Sequence, residues 1–269
     1  MTAHEPVGDL VRHWRERRRR SQLEISIATG VSTRHLSFIE TGRSRPSRGM
    51  IERLCDELDV PLRERNRLFL AAGLAPVHTE HTVDDLGDIR MAIDAFLAGH
   101  EPYPAVAVNS RWELLAANGA MATFLSGVPA HLREPQPNML RVTLHPDGLA
   151  PQLRNHAQWR AITLRRVRRQ YERTADPYLA DLLAELDGYS GPAGDDDPDC
   201  NDDPGMAPGT ELATPMVLDT DFGRLSLLYA VTVFGSPRDV AVDEIAIETF
   251  VPADTATRTV LRQLSDLRS

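Results

Sequence analysis

The segment from Ser21 to Thr41 constrains the fold of this chain more than any other part of its 269 residues. Ser21 suits the N-cap of a helix, and Glu24 three positions later completes the capping-box pattern. Gly30 favours the left-handed backbone that ends a helix, and Ser32 can cap the helix that follows. The segment is therefore predicted to form two short helices joined by a turn of about three or four residues, a helix-turn-helix.

Helical signals continue on both sides of this segment, so residues 1–74 are predicted to form a compact bundle of five helices. Ser47 is predicted to cap the fourth helix, and Pro61 to open a fifth that ends near Gly73. Cys55 is interpreted as a small buried apolar residue of the fourth helix.

The predicted helix pair has an inward and an outward set of side chains. The small Ser26 stands where the two helices touch, and the residues predicted to face the core are Ile25, Val31, Leu36 and Ile39. The outward positions, the helix start and the arginine-rich loop after the pair can meet a major groove and its phosphates. The predicted DNA-binding residues are Gln22, Ser32, Thr33, Arg34, Ser37, Phe38, Arg43 and Arg45.

The roles of four of these residues follow from their side-chain chemistry. Arg34 can donate two hydrogen bonds to a guanine edge, while Thr33 and Ser37 can bond to a base or a phosphate. Gln22 can reach a phosphate or help to position Thr33. Backbone N–H groups at the helix start after Ser32 can also bind a phosphate.

The remaining basic and aromatic residues leave two alternatives open. Arg43 and Arg45 are placed to neutralise phosphate charge. Phe38 can pack on a thymine methyl group, but helical spacing also allows it to belong to the core. The arginine run at 17–20 either contacts phosphates or is a solvated face with favourable charge at a helix end.

Charge divides the chain into two parts that suggest different partners. All 30 basic residues are arginine, which we attribute to codon bias, and the net charge is −9. Residues 1–74 hold 14 Arg against 10 acids, a net of +4, whereas residues 75–269 hold 16 against 29, a net of −13. Residues 75–88 have the composition of a linker, so two modules with a short connection are predicted.

Beyond the linker, residues 89–269 are predicted to form an α+β domain with an antiparallel sheet packed with helices, which makes the chain a multidomain α and α+β protein. The predicted strands are 105–108, 112–117, 212–218, 223–234 and 244–251, and the predicted helices are 89–98, 119–126, 152–174, 177–186 and 254–267. Prolines at 129, 135 and 137 are expected to break the chain. Residues 188–209, with six acids, are expected to be a mobile loop.

The N-terminal motifs resemble a known family. Residues 8–73 are similar to the Xre/Cro-repressor type of helix-turn-helix domain at Ser21-Gln22, Gly30-Val31-Ser32, Ile39-Glu40-Thr41-Gly42-Arg43 and Arg45-Pro46-Ser47. Ser26 stands where that family usually has Ala, and Thr29 where it usually has an aliphatic residue. The longer string from Val31 to Ser47 and the string from Val60 to Asn66 resemble a narrower group, the MmyB-like regulators of actinobacteria.

The same resemblance continues downstream, at residues 96–105, 112–118, 145–149, 234–237 and 248–254. It implies a PAS-like domain with an apolar cavity that can hold a fatty-acid-like molecule. The residues predicted to bind the ligand are Trp112, Asn118, Phe124, Met139, Arg141, Trp159 and Phe234. The alternative is that the aromatic residues among them are plain core.

An acid headgroup on such a ligand would need a polar or charged partner. The candidates are Arg141, His145, Asn118 and Arg165. The arginines at 165, 166, 168 and 169 are interpreted as a solvated face, paired with acids of the 188–209 loop, in preference to a second DNA contact.

Enzymatic and metal-binding functions find no support in the motifs. The chain has no GxSxG, P-loop, GxGxxG or HExxH pattern. His78 and His81 lie in the linker without further ligands, and the acidic run from Asp195 has Cys200 and Met206 where a calcium loop needs Gly and Glu. We therefore expect a protein that is not an enzyme and has no metal or cofactor, apart from a bound fatty acid or similar apolar ligand.

These observations together predict a cytoplasmic, homodimeric transcription regulator that binds a double-stranded DNA operator and senses a small apolar metabolite. The N-terminus is polar, and no apolar run is long enough to span a membrane, so neither a signal peptide nor a membrane partner is expected. The alternative is a DNA-binding regulator whose C-terminal domain serves only for dimerisation or contact with another protein.

Overall fold

The computed structural model describes residues 5–81, 87–191, 214–235, 237 and 239–267. These residues divide into two compact units. The first contains residues 5–81 with the short segments 172–175 and 237–243, and the second contains the other described residues. The predicted combination of an α-helical module with an α+β module is confirmed. No helix of the described residues is long and apolar enough to cross a membrane.

The first unit contains the five predicted helices, and each begins and ends close to the predicted position. They are α1 (Val7–Arg17), α2 (Gln22–Thr29), α3 (Thr33–Glu40), α4 (Arg48–Glu57) and α5 (Leu62–Ala71). Their apolar faces meet in one core whose largest fully buried side chains include Trp14, Leu36 and Phe69. Cys55 is 1% exposed in this core, and burial raises the pKa of its thiol to about 12.

Close backbone approach holds α1 against α3. A Cβ atom on Gly8 would lie 2.3 Å from the carbonyl oxygen of Ile39, so only glycine fits at this crossing. Ser47 occupies the N-cap position of α4, but its side chain makes no capping hydrogen bond there, so the predicted capping role of Ser47 is wrong.

The second unit is built on a five-stranded antiparallel sheet. Its strands are β1 (Ala105–Val108), β2 (Leu114–Ala117), β3 (Met216–Thr220), β4 (Gly223–Val233) and β5 (Ala246–Pro252), in the order β2-β1-β5-β4-β3. The helices of this part of the chain are α6 (Gly87–Gly99), α7 (Gly119–Ser126), α8 (Ala130–Arg133), α9 (Met139–Leu144), α10 (His156–Thr174), α11 (Pro177–Asp187) and α13 (Thr255–Asp266). The short helix α12 (Val240–Asp243) is grouped with the first unit.

Side chains alternate between the two faces of the sheet, and both faces are partly covered. Val106 and Val108 of β1 join the larger core, to which α10, α11 and α13 contribute. Ala105 and Ala107 point to the opposite face, where they pack with Ile93 and other residues of α6. Helices α10, α11 and α13 thus cover one face, and α6 covers part of the other.

Several elements of this unit differ from the predictions. The residues around Pro129 and Pro137 do not simply break the chain, because the short helices α8 and α9 follow directly after them. The long helix α10 starts at His156 rather than residue 152, after a 3-10 turn at Ala150–Gln152. The second hairpin strand starts at Leu114, because positive φ at residue 112 places that residue in the turn. Most of the predicted acidic loop, from 192 to 209, lies outside the described residues.

Candidate nucleic-acid interface and ligand-binding domain

The turn between α2 and α3 has the geometry that the sequence predicts. Ser21 and Glu24 form a reciprocal capping box at the start of α2, and Gly30 ends that helix with φ of 70°. Ser32 caps α3, its hydroxyl oxygen accepting from the backbone N–H of His35 at 3.2 Å. Ser26 donates to the carbonyl oxygen of Val31, which ties α2 to the turn. Local hydrogen bonds thus fix the angle at which α3 leaves the turn.

The side of α3 opposite the core is available to a partner. Leu36 and Ile39 are fully buried, whereas Arg34 is exposed and Thr33 and Ser37 are half-buried. The Thr33 hydroxyl lies 3.2 Å from the hydroxyl of Ser26, in hydrogen-bond contact. The two faces of the helix therefore separate as the spacing predicts, with Arg34 the most accessible side chain of the three.

An arginine-rich loop continues this face beyond the end of α3. Gly42, with φ of 70°, turns the chain so that the backbone N–H of Arg43 donates to the carbonyl oxygen of Phe38 at 2.8 Å. Arg43 and Arg45 are both exposed. The guanidinium groups of Arg34 and Arg43 lie 5.3 and 6.0 Å from the Phe38 ring. Phe38 is half-buried and does not belong to the core cluster of the first unit. Its ring instead contacts these two cationic groups.

A buried carboxylate holds α3 in place from behind. Glu40 is 2% exposed, and Arg15 of α1 donates to both of its carboxylate oxygens, at 2.6 and 2.9 Å. Gln22 donates to the same carboxylate at 2.9 Å, and Arg12 donates to the Glu40 carbonyl oxygen at 2.7 Å. Burial alone would raise the pKa of Glu40, but these hydrogen bonds and arginine charges lower it below its usual range.

This network has a consequence for one predicted contact. The amide nitrogen of Gln22 bonds to Glu40, so Gln22 links the start of α2 to the end of α3 in this structure. No role was predicted for Glu40 from the sequence. Its position beside the buried Ile39 is nevertheless a signal, because a buried carboxylate needs a charged partner. That partner is 25 residues away, on α1.

The arginine run at 17–20 makes contacts within the first unit. Arg18 donates to the carbonyl oxygens of Leu58 and Asp59, at 2.8 and 2.7 Å. Arg20 pairs with Glu57 at 2.8 Å. These two side chains therefore hold the turn and the end of α4 rather than forming a purely solvated face.

The second unit has a polar group packed against its larger core. The guanidinium carbon of Arg166 lies 4.2 Å from the centroid of the Trp112 ring and 4.5 Å from that of Tyr229. Tyr229 donates to the Glu248 carboxylate, and Arg166 lies 3.7 Å from the same oxygen. The indole N–H of Trp112 donates to Gln170 at 2.8 Å.

This polar group is less completely paired than the one around Glu40. Glu248 is 3% exposed, and burial raises its pKa, although Arg166 and Tyr229 oppose that shift. Burial and the adjacent Glu248 also raise the pKa of Tyr229. The Nε atom of Arg166 is buried without a hydrogen-bond partner among the described residues. Arg166 therefore retains hydrogen-bonding capacity inside an aromatic environment.

Arg166 also corrects an expectation about its own segment. Arg165 and Arg168 are exposed, as expected for a solvated face, but Arg166 points into the domain between two aromatic rings. Helical spacing explains the difference, since Arg166 lies three and seven positions after the buried Thr163 and Trp159.

Two residues predicted to meet a ligand headgroup are occupied by structural contacts. Asn118 caps α7 and also accepts from the Ala105 N–H at 3.0 Å, while its amide group donates to the carbonyl oxygen of Tyr103 at 2.8 Å. Arg141 forms a two-pronged pair with Glu185, at 2.8 and 2.7 Å. That pairing lowers the pKa of Glu185 and raises that of Arg141. Both side chains are therefore engaged in contacts within the second unit.

The predicted apolar ligand residues fall into two places. Trp112, Met139 and Trp159 lie in the larger core, with the half-buried Phe124 packed against it. Phe234 instead packs with the α6 cluster on the opposite face of the sheet, where its ring meets Phe96 edge to face. Phe234, the residue after β4, therefore lies apart from the other predicted ligand residues, whereas Tyr229 of β4 packs against Trp159 in the larger core.

The capped helix pair with its exposed Arg34 defines the class of helix-turn-helix proteins, and a separate α+β unit accompanies it. Residues 6–68 match the family described as Helix-turn-helix domain. Residues 89–264, more than half of the chain, match the MmyB-like transcription regulator ligand binding domain. The chain belongs to this family of MmyB-like transcription regulators, and it is a regulator with a ligand-binding-type domain rather than an enzyme.

Related proteins agree with this class over the N-terminal part. Uncharacterized HTH-type transcriptional regulators of Mycobacterium bovis and Mycobacterium tuberculosis are 34% identical to the chain over 70 residues, 26% of this chain. The match spans 27% of the length of those relatives. The solved structure of an RNA-binding light-oxygen-voltage receptor aligns with 97% of this chain and with 63% of the receptor chain. The sequence identity is 12% and the TM-score is 0.28, so this likeness carries no conclusion about the fold.

Proposed function

We propose that this regulator binds double-stranded DNA through the outer face of α3. The observation that carries the proposal is the exposed Arg34 on a helix whose opposite side is fixed by Leu36 and Ile39 in the core. A helix fixed in this way can present its guanidinium group to the two acceptors of a guanine in the major groove. Thr33 and Ser37 flank Arg34 on the same face and can bond to neighbouring bases or phosphates.

The loop after α3 supplies the phosphate contacts in this proposal. Arg43 and Arg45 are exposed on the chain that follows Gly42. Phe38 lies under the guanidinium groups of Arg34 and Arg43, so its role is to orient these two cations or to meet a thymine methyl group. The start of α3 at Ser32 adds backbone N–H groups that favour a phosphate.

A homodimer in the cytoplasm completes the DNA-binding proposal. One helix of eight residues reads too few base pairs for useful specificity, and a second copy supplies another half-site. The predicted operator therefore has two related half-sites whose centres are separated by about 10–10.5 base pairs or a multiple of that spacing.

The second unit is proposed to bind an amphipathic metabolite with an acid group, such as a fatty acid. Support comes from Arg166, whose buried Nε has no hydrogen-bond partner among the described residues and whose guanidinium group lies between Trp112 and Tyr229. A carboxylate could bond to Arg166 while its apolar chain packs on the surrounding aromatic residues. Arg166 takes the place of Asn118 and Arg141, whose polar groups are already paired.

Regulation follows if the ligand prefers one arrangement of the regulator over another. A ligand with equal affinity for two states would not change their populations, so operator affinity must differ between the free and bound forms. Operator affinity measured with and without dodecanoate gives the direction of that change.

Selection from a random duplex library with the full chain tests the DNA proposal. We expect enrichment of a sequence with two related half-sites that contain guanine at the position read by Arg34. Fluorescence anisotropy on the selected duplex then gives the affinity at several salt concentrations, since phosphate contacts make binding salt-dependent. Recovery of sequences without a common motif would contradict sequence-specific binding.

Native mass spectrometry of the protein purified from cells tests the ligand proposal, followed by calorimetry with dodecanoate as the probe. Arg166→Gln is expected to weaken dodecanoate binding by about 1.5–3 kcal/mol, because a hydrogen bond to a charged group is lost. Arg168→Gln is the matched control, since this exposed arginine is on the same helix. Equal dodecanoate affinities for the two variants would exclude Arg166 as the headgroup partner.

A further inference from the structure

Three metal-ligating side chains meet on the second unit, and one of them, His145, is also a candidate headgroup partner of the predicted ligand. They are His131 of α8, His145 at the end of α9, and Asp147 in the turn that follows. One ligand atom from each residue lies within 4.8 Å of those of the other two. From this geometry we infer that His131, His145 and Asp147 bind a divalent transition-metal ion, Zn²⁺ being the ion that the ligand set suits best.

The atom positions are close to those of a metal site. Zinc bonds to imidazole nitrogen and carboxylate oxygen at about 2.0–2.2 Å, so neighbouring ligand atoms of a tetrahedral site are about 3.4 Å apart. His131 Nε2 lies 3.4 Å from Asp147 Oδ2, and His145 Nδ1 lies 3.9 Å from the same oxygen. His131 and Asp147 are more than half exposed, so small side-chain rotations can complete the set.

The backbone that carries these residues is anchored. His131 is followed by Leu132, which is buried in a cluster with Val142 of α9. Gly148 lies against the same helix so closely that a Cβ atom would be 2.2 Å from the Val142 carbonyl oxygen. The turn that presents His145 and Asp147 is therefore tied to α9, and α8 packs on that helix as well.

Two contacts orient the His145 imidazole. The backbone N–H of Asp147 donates to His145 Nδ1 at 3.0 Å. A metal ion bound at Nδ1 would replace this exposed N–H, which can then bond to water. The Tyr189 ring packs edge to face on His145, with 4.9 Å between centroids, and orients the imidazole.

The ligand chemistry selects the class of ion. Two imidazole groups and one carboxylate suit Zn²⁺, Co²⁺ or Ni²⁺, whereas Ca²⁺ and Mg²⁺ prefer oxygen ligands alone. Three protein ligands leave the remaining coordination positions to water. The site does not depend on whether the second unit binds a fatty acid.

The inference is tested by Zn²⁺ titration of the tag-free full chain in competition with a chromophoric chelator. Co²⁺ absorption in the visible range serves as the spectroscopic readout of imidazole coordination. We expect one ion per chain, with His131→Ala and Asp147→Asn each weakening Zn²⁺ binding by about tenfold or more. Both residues are exposed, so loss of folding is not expected, and circular dichroism checks it.

The matched control is His13→Ala, an exposed histidine of the first unit. It should leave both the Zn²⁺ affinity and the Co²⁺ spectrum unchanged. Zn²⁺ affinity that is equal in the wild type, His131→Ala and Asp147→Asn would overturn the inference, as would absence of the Co²⁺ spectrum from the wild-type chain.

Discussion

Two carboxylates, Glu40 in the first unit and Glu248 in the second, are almost equally buried but differ in how they are paired. Glu40 is 2% exposed and receives hydrogen bonds from Arg15 and Gln22. Glu248 is 3% exposed and receives one hydrogen bond from Tyr229, while Arg166 lies 3.7 Å away. The pKa of Glu40 is lowered, and that of Glu248 is raised.

This difference separates a structural ion pair from a candidate binding group. The hydrogen bonds to Glu40 connect α1, α2 and α3, so they serve to hold the proposed DNA-reading helix at a fixed angle. The polar group around Glu248 leaves the Nε atom of Arg166 without a partner among the described side chains and backbone. Buried polar groups are ordinarily satisfied, so an exception beside two aromatic rings is a candidate contact for a water, an ion or a ligand.

The largest expected effect is the loss of the Glu40 pair. Glu40→Gln should destabilise the first unit by about 3 kcal/mol, because it leaves the partly buried Arg15 without a counter-charge. Hydrogen exchange of the α1–α5 amides in the full chain measures this loss for the first unit separately from the second.

Glu52→Gln is the control for that measurement, since Glu52 is exposed on α4. Its effect should stay within about 0.5 kcal/mol, as is usual for surface substitutions. A Glu40→Gln variant as stable as the Glu52→Gln variant would mean that the buried pair does not hold α3 in place.

The pH dependence of stability should have opposite signs at the two carboxylates. Glu40 has a lowered pKa, so its contribution is present above about pH 4.3, the unfolded value for Glu, and is lost as the pH falls through the folded pKa. Glu248 has a raised pKa, so its contribution is present below that value and is lost as the pH rises through the folded pKa.

Glu248→Gln tests the second half of this contrast, since Gln resembles the protonated acid. This variant should leave the second unit as stable as the wild type at pH 4 and make it more stable at pH 8, whereas Glu40→Gln should be destabilising at pH 8. Hydrogen exchange of the β4 and β5 amides at both pH values provides the measurement. A loss of stability in Glu248→Gln at pH 8 would show that Arg166 and Glu248 form a pair as strong as Arg15 and Glu40.

A smaller effect is expected for the exposed cations of the first unit, which contrast with the partly buried Arg166. Arg43→Ala should weaken binding to all DNA sequences similarly and reduce the slope of log K against log salt by about one. Fluorescence anisotropy over a range of salt concentrations measures the slope. An unchanged slope would remove Arg43 from the phosphate contacts.

Local patterns in the sequence predicted the first unit well for a physical reason. The capping box at Ser21, the left-handed Gly30 and the cap at Ser32 each depend on residues a few positions apart, so a single sequence contains the necessary information. The Glu40–Arg15 pair was not predicted, because its partners lie 25 residues apart and meet only through packing.

The second unit shows where sequence patterns lose information. The prolines near α8 and α9 were interpreted as breaks, whereas Pro129 and Asn138 stand at helix starts, where proline and asparagine are also favoured. Arg166 was grouped with its charged neighbours, although its own turn of α10 faces the core. Phe234 was grouped with the ligand residues, because strand direction and sheet face cannot be assigned without the pairing partners.

Arg34 is the exposed side chain of a helix whose other face is fixed in the core, and it carries the proposed base contact. The most direct measurement compares the affinities of wild type and Arg34→Ala for two duplexes. One duplex is the selected operator, and the other has the contacted guanine replaced. Arg53→Ala, at an exposed arginine of α4, is the control. We predict that wild type and Arg53→Ala discriminate between the duplexes by about 1–3 kcal/mol and that Arg34→Ala loses this discrimination. Unchanged discrimination by Arg34→Ala at every operator position would contradict the assignment of this face of α3 to the major groove.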